Sequence, residues 1–230
     1  MSDAYYQLPN GRVAAIDGDC DFPPLGQALT EPNGLIAIGG DLSLKRLLSA
    51  YRQGIFPWFS DGEPILWWSP NPRMVLYPSD LKISNSLKKT LKNCPFEVRF
   101  NSQFRQVISA CSHTPREGQP GTWITADIID AYCRLHEAGY AISAECWQDN
   151  QLVGGCYGVK IGRMFYGESM FHHVTDASKV AFVSLVQKLN AENVGLIDCQ
   201  MKTAHLASFG AKEISREDFL SQLSILIKST

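Results

Sequence analysis

Ala141-Ile-Ser-Ala-Glu-Cys-Trp-Gln-Asp-Asn-Gln-Leu-Val-Gly-Gly-Cys-Tyr-Gly-Val-Lys-Ile-Gly-Arg-Met-Phe-Tyr-Gly-Glu-Ser-Met-Phe171 decides the fold class. It reads as strands 141–148, 152–159 and 164–171, separated by an Asp-Asn turn and a Lys-Ile-Gly turn. Three strands joined by tight turns form an antiparallel meander. Downstream the period changes: 177–189 predicts a helix, 195–200 a strand, 204–208 a short helix, and the segment from Glu217 a last helix. Hairpins followed by this α-β-α order indicate an α+β domain with a mixed sheet.

Upstream of the meander, 74–77 and 97–100 read as strands and 115–121 as a loop. Residues 84–93 predict a helix with Leu87 and Leu91 inward and Lys88, Lys89 and Lys92 outward. Residues 103–111 predict a helix burying Phe104, Val107, Ile108 and Cys111. Helix 126–138 follows Thr125 as N-cap, turns Ile128, Ile129, Tyr132 and Leu135 inward, and stops at Gly139. Residues 1–40 are rich in Pro and Gly and end in a short apolar strand that runs through Gly39-Gly40 to a helix start at Ser43. Leu44, Leu47, Leu48 and Tyr51 then recur at helical spacing, and Gly54 closes the segment.

Between Ile55 and Pro72, Trp58, Trp67 and Trp68 lie in a run that Pro and Gly break too often for an ordinary helix or strand. Such a stiff aromatic loop either walls a pocket or plugs the core between two lobes. Pro70 and Pro72 set the expected boundary, giving a small N-terminal α/β lobe, 1–72, and a larger domain, 73–230.

The 230 residues are 45% hydrophobic with a formal net charge of −2, so no global basic field announces nucleic acid. The first residues lack a basic n-region and an apolar h-region, and no 18-residue apolar stretch occurs, so the expected address is cytoplasmic, without a membrane. Seven cysteines without a Cys-x-x-Cys pair read as reduced thiols, and five histidines show no metal-ligand spacing. A monomer is expected.

Candidate chemistry sits on two strands. In 164–171 the two-residue period puts Tyr166, Glu168 and Met170 on one face and Phe165, Gly167, Ser169 and Phe171 on the other, which sets a carboxylate among large apolar groups. In 196–200 it puts Asp198 and Gln200 on one face of a central strand, as catalytic groups or as a satisfied structural network. Lys82, Lys88, Lys89 and Lys92, with Arg73, Arg99 and Arg105, form a basic set that reads as a phosphate-binding patch or a solvated face.

Gly39-Gly-Asp-Leu-Ser43, Gly54-Ile-Phe-Pro-Trp58, Ile65-Leu-Trp-Trp-Ser-Pro70, Thr122-Trp-Ile124, Leu152-Val-Gly-Gly155, Gly167-Glu-Ser-Met-Phe171 and Leu196-Ile-Asp-Cys-Gln200 together resemble the bacterial leucyl/phenylalanyl-tRNA–protein transferase family, over about residues 22 to 222. The resemblance implies a GNAT-like acyltransferase fold in the larger domain. It also implies an enzyme that moves Leu, Phe or, less well, Met from aminoacyl-tRNA onto proteins beginning with Arg or Lys, marking them for degradation. Carried over, the aminoacyl side-chain pocket falls on Trp58, Trp123, Cys156, Phe165 and Met170, with Cys156 where methionine is usual. Glu168 then meets the α-amino group of the aminoacyl moiety. Asp198 and Gln200 match the catalytic pair, with Asp198 expected to favour the incoming cationic amine and Gln200 to orient amine and carbonyl. Lys88, Lys89 and Lys92 are expected to meet tRNA phosphates. The chemistry, amine attack on an ester, requires no metal, cofactor or covalent enzyme intermediate.

Two rival classes follow from the same residues. A coenzyme-A-dependent acyltransferase would carry a Gly-rich pyrophosphate turn at a helix start; Gln151-Leu-Val-Gly-Gly-Cys156 instead runs into a strand, and His172-His-Val-Thr-Asp176 has no glycine. A non-catalytic tRNA adaptor would not need Glu168, Asp198 and Gln200.

Overall fold

The computed structural model describes residues 4–18, 21–114 and 122–228. The expected loop 115–121 and Cys20 lie outside them. The first sheet has the order β1-β2-β3-β5-β4. Its strands are β1 (Tyr5–Leu8), β2 (Gly11–Ile16), β3 (Leu35–Gly39), β4 (Phe56–Pro57) and β5 (Leu66–Trp68), with α1 (Leu44–Arg52) between β3 and β4. Then come β6 (Arg73–Leu76), α2 (Asn85–Lys92), β7 (Glu97–Phe100), α3 (Phe104–Ser112) and α4 (Ala126–Glu137). The meander is β8 (Ala141–Gln148), β9 (Gln151–Ile161) and β10 (Met164–His172). After it follow α5 (Ala177–Ala191), β11 (Leu196–Gln200), α6 (Ala204–Ser208), β12 (Lys212–Ile214) and α7 (Arg216–Leu226). The second sheet runs β12-β6-β11-β10-β9-β8-β7 and is mixed: β10 and β11 are parallel, the other pairs antiparallel. The α+β reading holds.

Local signals placed the helices well. Ser43, Ser84 and Thr125 each accept a hydrogen bond from the backbone N–H three residues on, contributing about 1 kcal/mol apiece. Outside the aromatic run, three strands escaped the sequence reading. β1 and β2 pair as an edge hairpin whose outer strand is almost wholly exposed, so no apolar alternation marked it. β12 is three residues long and largely exposed at the other sheet's edge.

The aromatic run is a short antiparallel ribbon rather than a loop alone, with Phe56 opposite Trp68 and Pro57 opposite Trp67. Trp67 is fully buried and donates to the Gly39 carbonyl at 2.9 Å, while half-buried Trp68 donates to the Trp58 carbonyl at 2.7 Å and fixes that backbone.

One apolar core links the first sheet, α1, α3, α4 and one face of the second sheet, including Tyr51, Tyr132, Tyr166 and Phe171. A second fills the opposite face under α5, including Cys156, Phe165, Ile197 and Phe182. This partition corrects the simple alternation along β10. The register slips between Gly167 and Ser169, so Phe165 and Met170 share one side and Tyr166 and Phe171 the other. Opposite the bulge, Gly158 pairs with Gly167, and a Cβ on Gly158 would sit 2.1 Å from the Tyr166 carbonyl and 2.4 Å from the Phe165 ring. Only glycine fits there.

Candidate active site

β10 and β11 pair only from Met164–Leu196 to Tyr166–Asp198. Beyond that point β10 bulges at Glu168 and β11 slips between Asp198 and Gln200 against β6, so the two parallel strands part at their C-terminal ends. A cleft of about 420 Å³ opens between them, within the roughly 300–1,000 Å³ usual for small-ligand sites. Its apolar walls include Trp58, Trp123, Cys156, Phe165 and Met170, as expected, and also Phe182, Leu185, Ile197, Cys199 and Leu206.

Glu168 is the one acidic residue lining this cleft among the described residues. Its Oε1 accepts from the Tyr51 hydroxyl at 2.7 Å and its Oε2 from the Tyr132 hydroxyl at 3.3 Å, and the two phenols also share a short contact. The Gln200 Nε2 donates to Oε1 at 3.3 Å. Burial pushes the Glu168 carboxyl up, the three hydrogen bonds pull it back and the Asp198 charge opposes them, leaving it at about 7. Burial likewise holds both phenols well above their usual range, so they act as donors. Cys156 and Cys199 are pushed up by burial as well, and contribute neutral thiols to an apolar floor.

Gln200 has a left-handed backbone, φ 62°, and projects into the cleft. Asp198 does not. It is fully buried, with Oδ1 accepting from Arg73 Nε at 2.8 Å and Oδ2 from Arg73 Nη2 at 2.6 Å. Oδ1 also accepts from the Gln200 backbone N–H at 2.8 Å. Both Asp198 carboxylate oxygens are thus engaged beneath the cleft floor, and the link from Asp198 to the cleft runs through the Gln200 backbone N–H.

The basic set is likewise dispersed. Arg73 is in the core, Arg99 is paired with Glu97, and Arg105 with Asp130. Lys88, Lys89 and Lys92 are exposed on α2. That helix approaches the start of α5, where Asp176 accepts from Thr90 at 3.1 Å and pairs with Lys179 at 2.8 Å. Lys179 and His172 lie close enough to cleft-lining His205 to lower its pKa further, after burial has lowered it most.

The sequence profile of leucyl/phenylalanyl-tRNA protein transferase matches residues 75–224, and that of its N-terminal domain matches residues 40–71. The chain belongs to the leucyl/phenylalanyl-tRNA–protein transferase family. A member from Chromobacterium violaceum is 62% identical over 202 residues, covering 88% of this chain and 86% of that protein. One from Nitrosomonas eutropha is 59% identical over 214 residues, covering 93% and 91%. Among solved structures, a GCN5-related N-acetyltransferase from Kribbella flavida is similar at a TM-score of 0.39 and 7% identity, over 78% of this chain and 63% of that one.

In this transferase-family chain the cleft gathers Trp58, Trp123, Cys156, Phe165, Glu168, Met170 and Gln200, leaving Asp198 below them and Lys88, Lys89 and Lys92 on a neighbouring surface. Sequence reasoning missed Tyr51 and Tyr132 as partners of Glu168, although both stood at core-facing helical positions. The available signal was the phenol itself, since a buried Tyr needs a hydrogen-bond partner. No helix among the described residues is long and apolar enough to cross a membrane.

Proposed function

We propose that the cleft binds the Leu or Phe end of an aminoacyl-tRNA, and that the acceptor is a protein whose first residue is Arg or Lys. Transfer of Leu or Phe from aminoacyl-tRNA to protein is the activity of the family to which the chain belongs. The observation that supports this placement is a single carboxylate, Glu168, facing the Gln200 amide at 3.3 Å in a cleft with largely apolar walls. The apolar walls receive the Leu or Phe side chain, and Met less well. Glu168 takes the donor's α-amino group, and the terminal adenosine stacks on an aromatic wall.

The reaction forms an N–C bond between the acceptor's α-amine and the aminoacyl carbonyl carbon and breaks the ester C–O bond, the proton passing from nitrogen to the leaving ribose oxygen. An α-amine with an ordinary pKa is already about a tenth neutral at pH 7. Orientation therefore supplies most of what the protein must contribute. Gln200, a neutral amide, orients amine and carbonyl rather than holding the proton. Asp198 fixes Gln200. Lys88, Lys89 and Lys92 meet phosphates of the acceptor arm, next to the cleft end marked by Lys179 and His205. The product begins with Leu or Phe, a destabilising residue read by degradation machinery.

Incubation with Phe-tRNA carrying labelled Phe and an Arg-initiated peptide tests this reading, beside acetyl-CoA and an Ala-initiated peptide. Transfer to the Arg peptide alone, abolished by ribonuclease, is expected; acetylation without tRNA would overturn it. Reversing the charge of the three α2 lysines should weaken tRNA binding and flatten its salt dependence.

A further inference from the structure

Arg73 is a cation with no route to solvent: it is 1% exposed, in β6, beneath the cleft floor. Its guanidinium carbon lies over two aromatic rings, 4.8 Å from the Phe56 centroid and 4.6 Å from the Phe219 centroid. Phe56 itself lines the cleft, and Phe219 is a buried residue of α7, so the two contacts join the cleft wall to the last helix. With both rings packed against the guanidinium, its fork points in one direction. That direction is Asp198, with Nε on Oδ1 and Nη2 on Oδ2, while Nη1 has no hydrogen-bond partner among the described residues.

A buried ion pair is a poor device for stability alone, because an apolar pair of similar size commonly serves as well or better. What the pair does here is visible at Oδ1. That oxygen is shared between Arg73 Nε and the backbone N–H of Gln200, both at 2.8 Å. Gln200 needs such a restraint. Its φ of 62° is uncommon for a residue with a side chain, and the Met201 N–H to Cys199 carbonyl bond at 2.7 Å shows the strand turning sharply around it. The turn lifts the Gln200 side chain into the cleft toward Glu168.

We propose that Arg73 is a positioning residue for aminoacyl transfer: gripped by Phe56 and Phe219, it aims the Asp198 carboxylate at the Gln200 N–H and so holds the Gln200 amide against the reacting groups. The inference rests on the functional reading above. It extends the reach of the site to a strand 125 residues earlier and to α7, neither of which supplies Gln200 or Glu168.

The test compares Arg73→Met, Arg73→Lys and Phe219→Leu with the unsubstituted full chain. Phe transfer to the Arg peptide is followed as kcat and KM, and the Gln200 amide by its nitrogen and proton NMR shifts and its hydrogen exchange. Arg73→Met is expected to lower kcat about 100-fold with the KM for aminoacyl-tRNA little changed, and to move and deprotect the Gln200 amide. Arg73→Lys keeps the charge but loses the fork, and should recover about a tenth of the lost rate. Phe219→Leu keeps an apolar side chain in the core and the Arg73 fork intact while removing one ring from Arg73, so it stays informative if Arg73→Met fails to fold; a several-fold loss of kcat at constant KM is expected. A folded Arg73→Met or Phe219→Leu protein with normal kcat and an unmoved Gln200 amide would overturn the proposal. If the unsubstituted chain transfers nothing, the functional reading fails by itself, and the Gln200 amide still decides whether Arg73 positions that residue.

Discussion

Glu145 on β8 and Glu168 on β10 are carboxylates on strands of the same sheet, but Glu145 is fully enclosed whereas Glu168 faces a cleft. Glu145 accepts from the backbone N–H groups of Ser102 and Gln103, both at 2.9 Å, from the Ser143 hydroxyl at 2.9 Å, from Trp147 Nε1 at 3.1 Å, and from the Ser102 hydroxyl in a shorter contact. It thereby closes the start of α3, whose own N-cap residue makes no side-chain cap. Burial pushes its pKa up, yet these donors more than cancel the effect and leave it lowered. Glu168 is partly buried, but its donors do not cancel the desolvation cost, and it stays at about 7. The difference teaches that a carboxylate with a full set of donors is part of the frame, while one short of donors retains affinity for a cation or proton brought to it.

The comparison can be broken most decisively at Glu168. Glu168→Gln keeps the shape and the neutral partners but removes the charge, and kcat/KM for transfer should fall about 10²–10³-fold with folding intact. Activity within a few-fold of normal would mean that Glu168 belongs with Glu145. Conversely, Glu145→Ala leaves several buried donors unpaired and should destabilise the fold by about 2–4 kcal/mol in urea denaturation, with kcat per folded molecule kept. Loss of rate in the folded fraction would instead place Glu145 in the reaction.

Their pH dependences should have opposite signs. Because Glu168 binds its proton more tightly folded than unfolded, its contribution to stability is fully present below the unfolded carboxylate pKa and is lost as pH rises toward about 7. Glu145 behaves inversely, since its lowered pKa stabilises above the unfolded value and that stability is lost as pH falls through the folded pKa. Urea midpoints across pH, compared with Glu168→Gln and Glu145→Gln, should each lose one of these limbs. The smallest effects come from trimming a single donor. Tyr132→Phe removes a bond that favours the Glu168 anion and should move the rising limb of kcat/KM to higher pH. Ser143→Ala should cost the Glu145 network about 1 kcal/mol without moving that limb.

Much of the frame was legible because its signals are local. Ser43, Ser84 and Thr125 cap helices through the residues immediately following them, and the meander is bounded by its own turn residues. The apolar pocket residues were legible only through motif resemblance, since alternation along β10 assigns Phe165 and Met170 to opposite faces. The bulge at Glu168 overturns that assignment, and it is compatible only with glycine at 158 on the partner strand, where a Cβ would collide.

The sequence by itself determined the helices, the meander, the α+β class and the residue types that chemistry requires, because caps, periodicity and turn preferences act over a few residues. Tertiary structure decided which of those residues meet. Asp198 is held by Arg73, and Glu168 acquired Tyr51 and Tyr132 as donors from two different helices. These pairings join positions 125, 117 and 36 residues apart, and no local preference encodes a hydrogen bond across such distances until packing has brought its partners together.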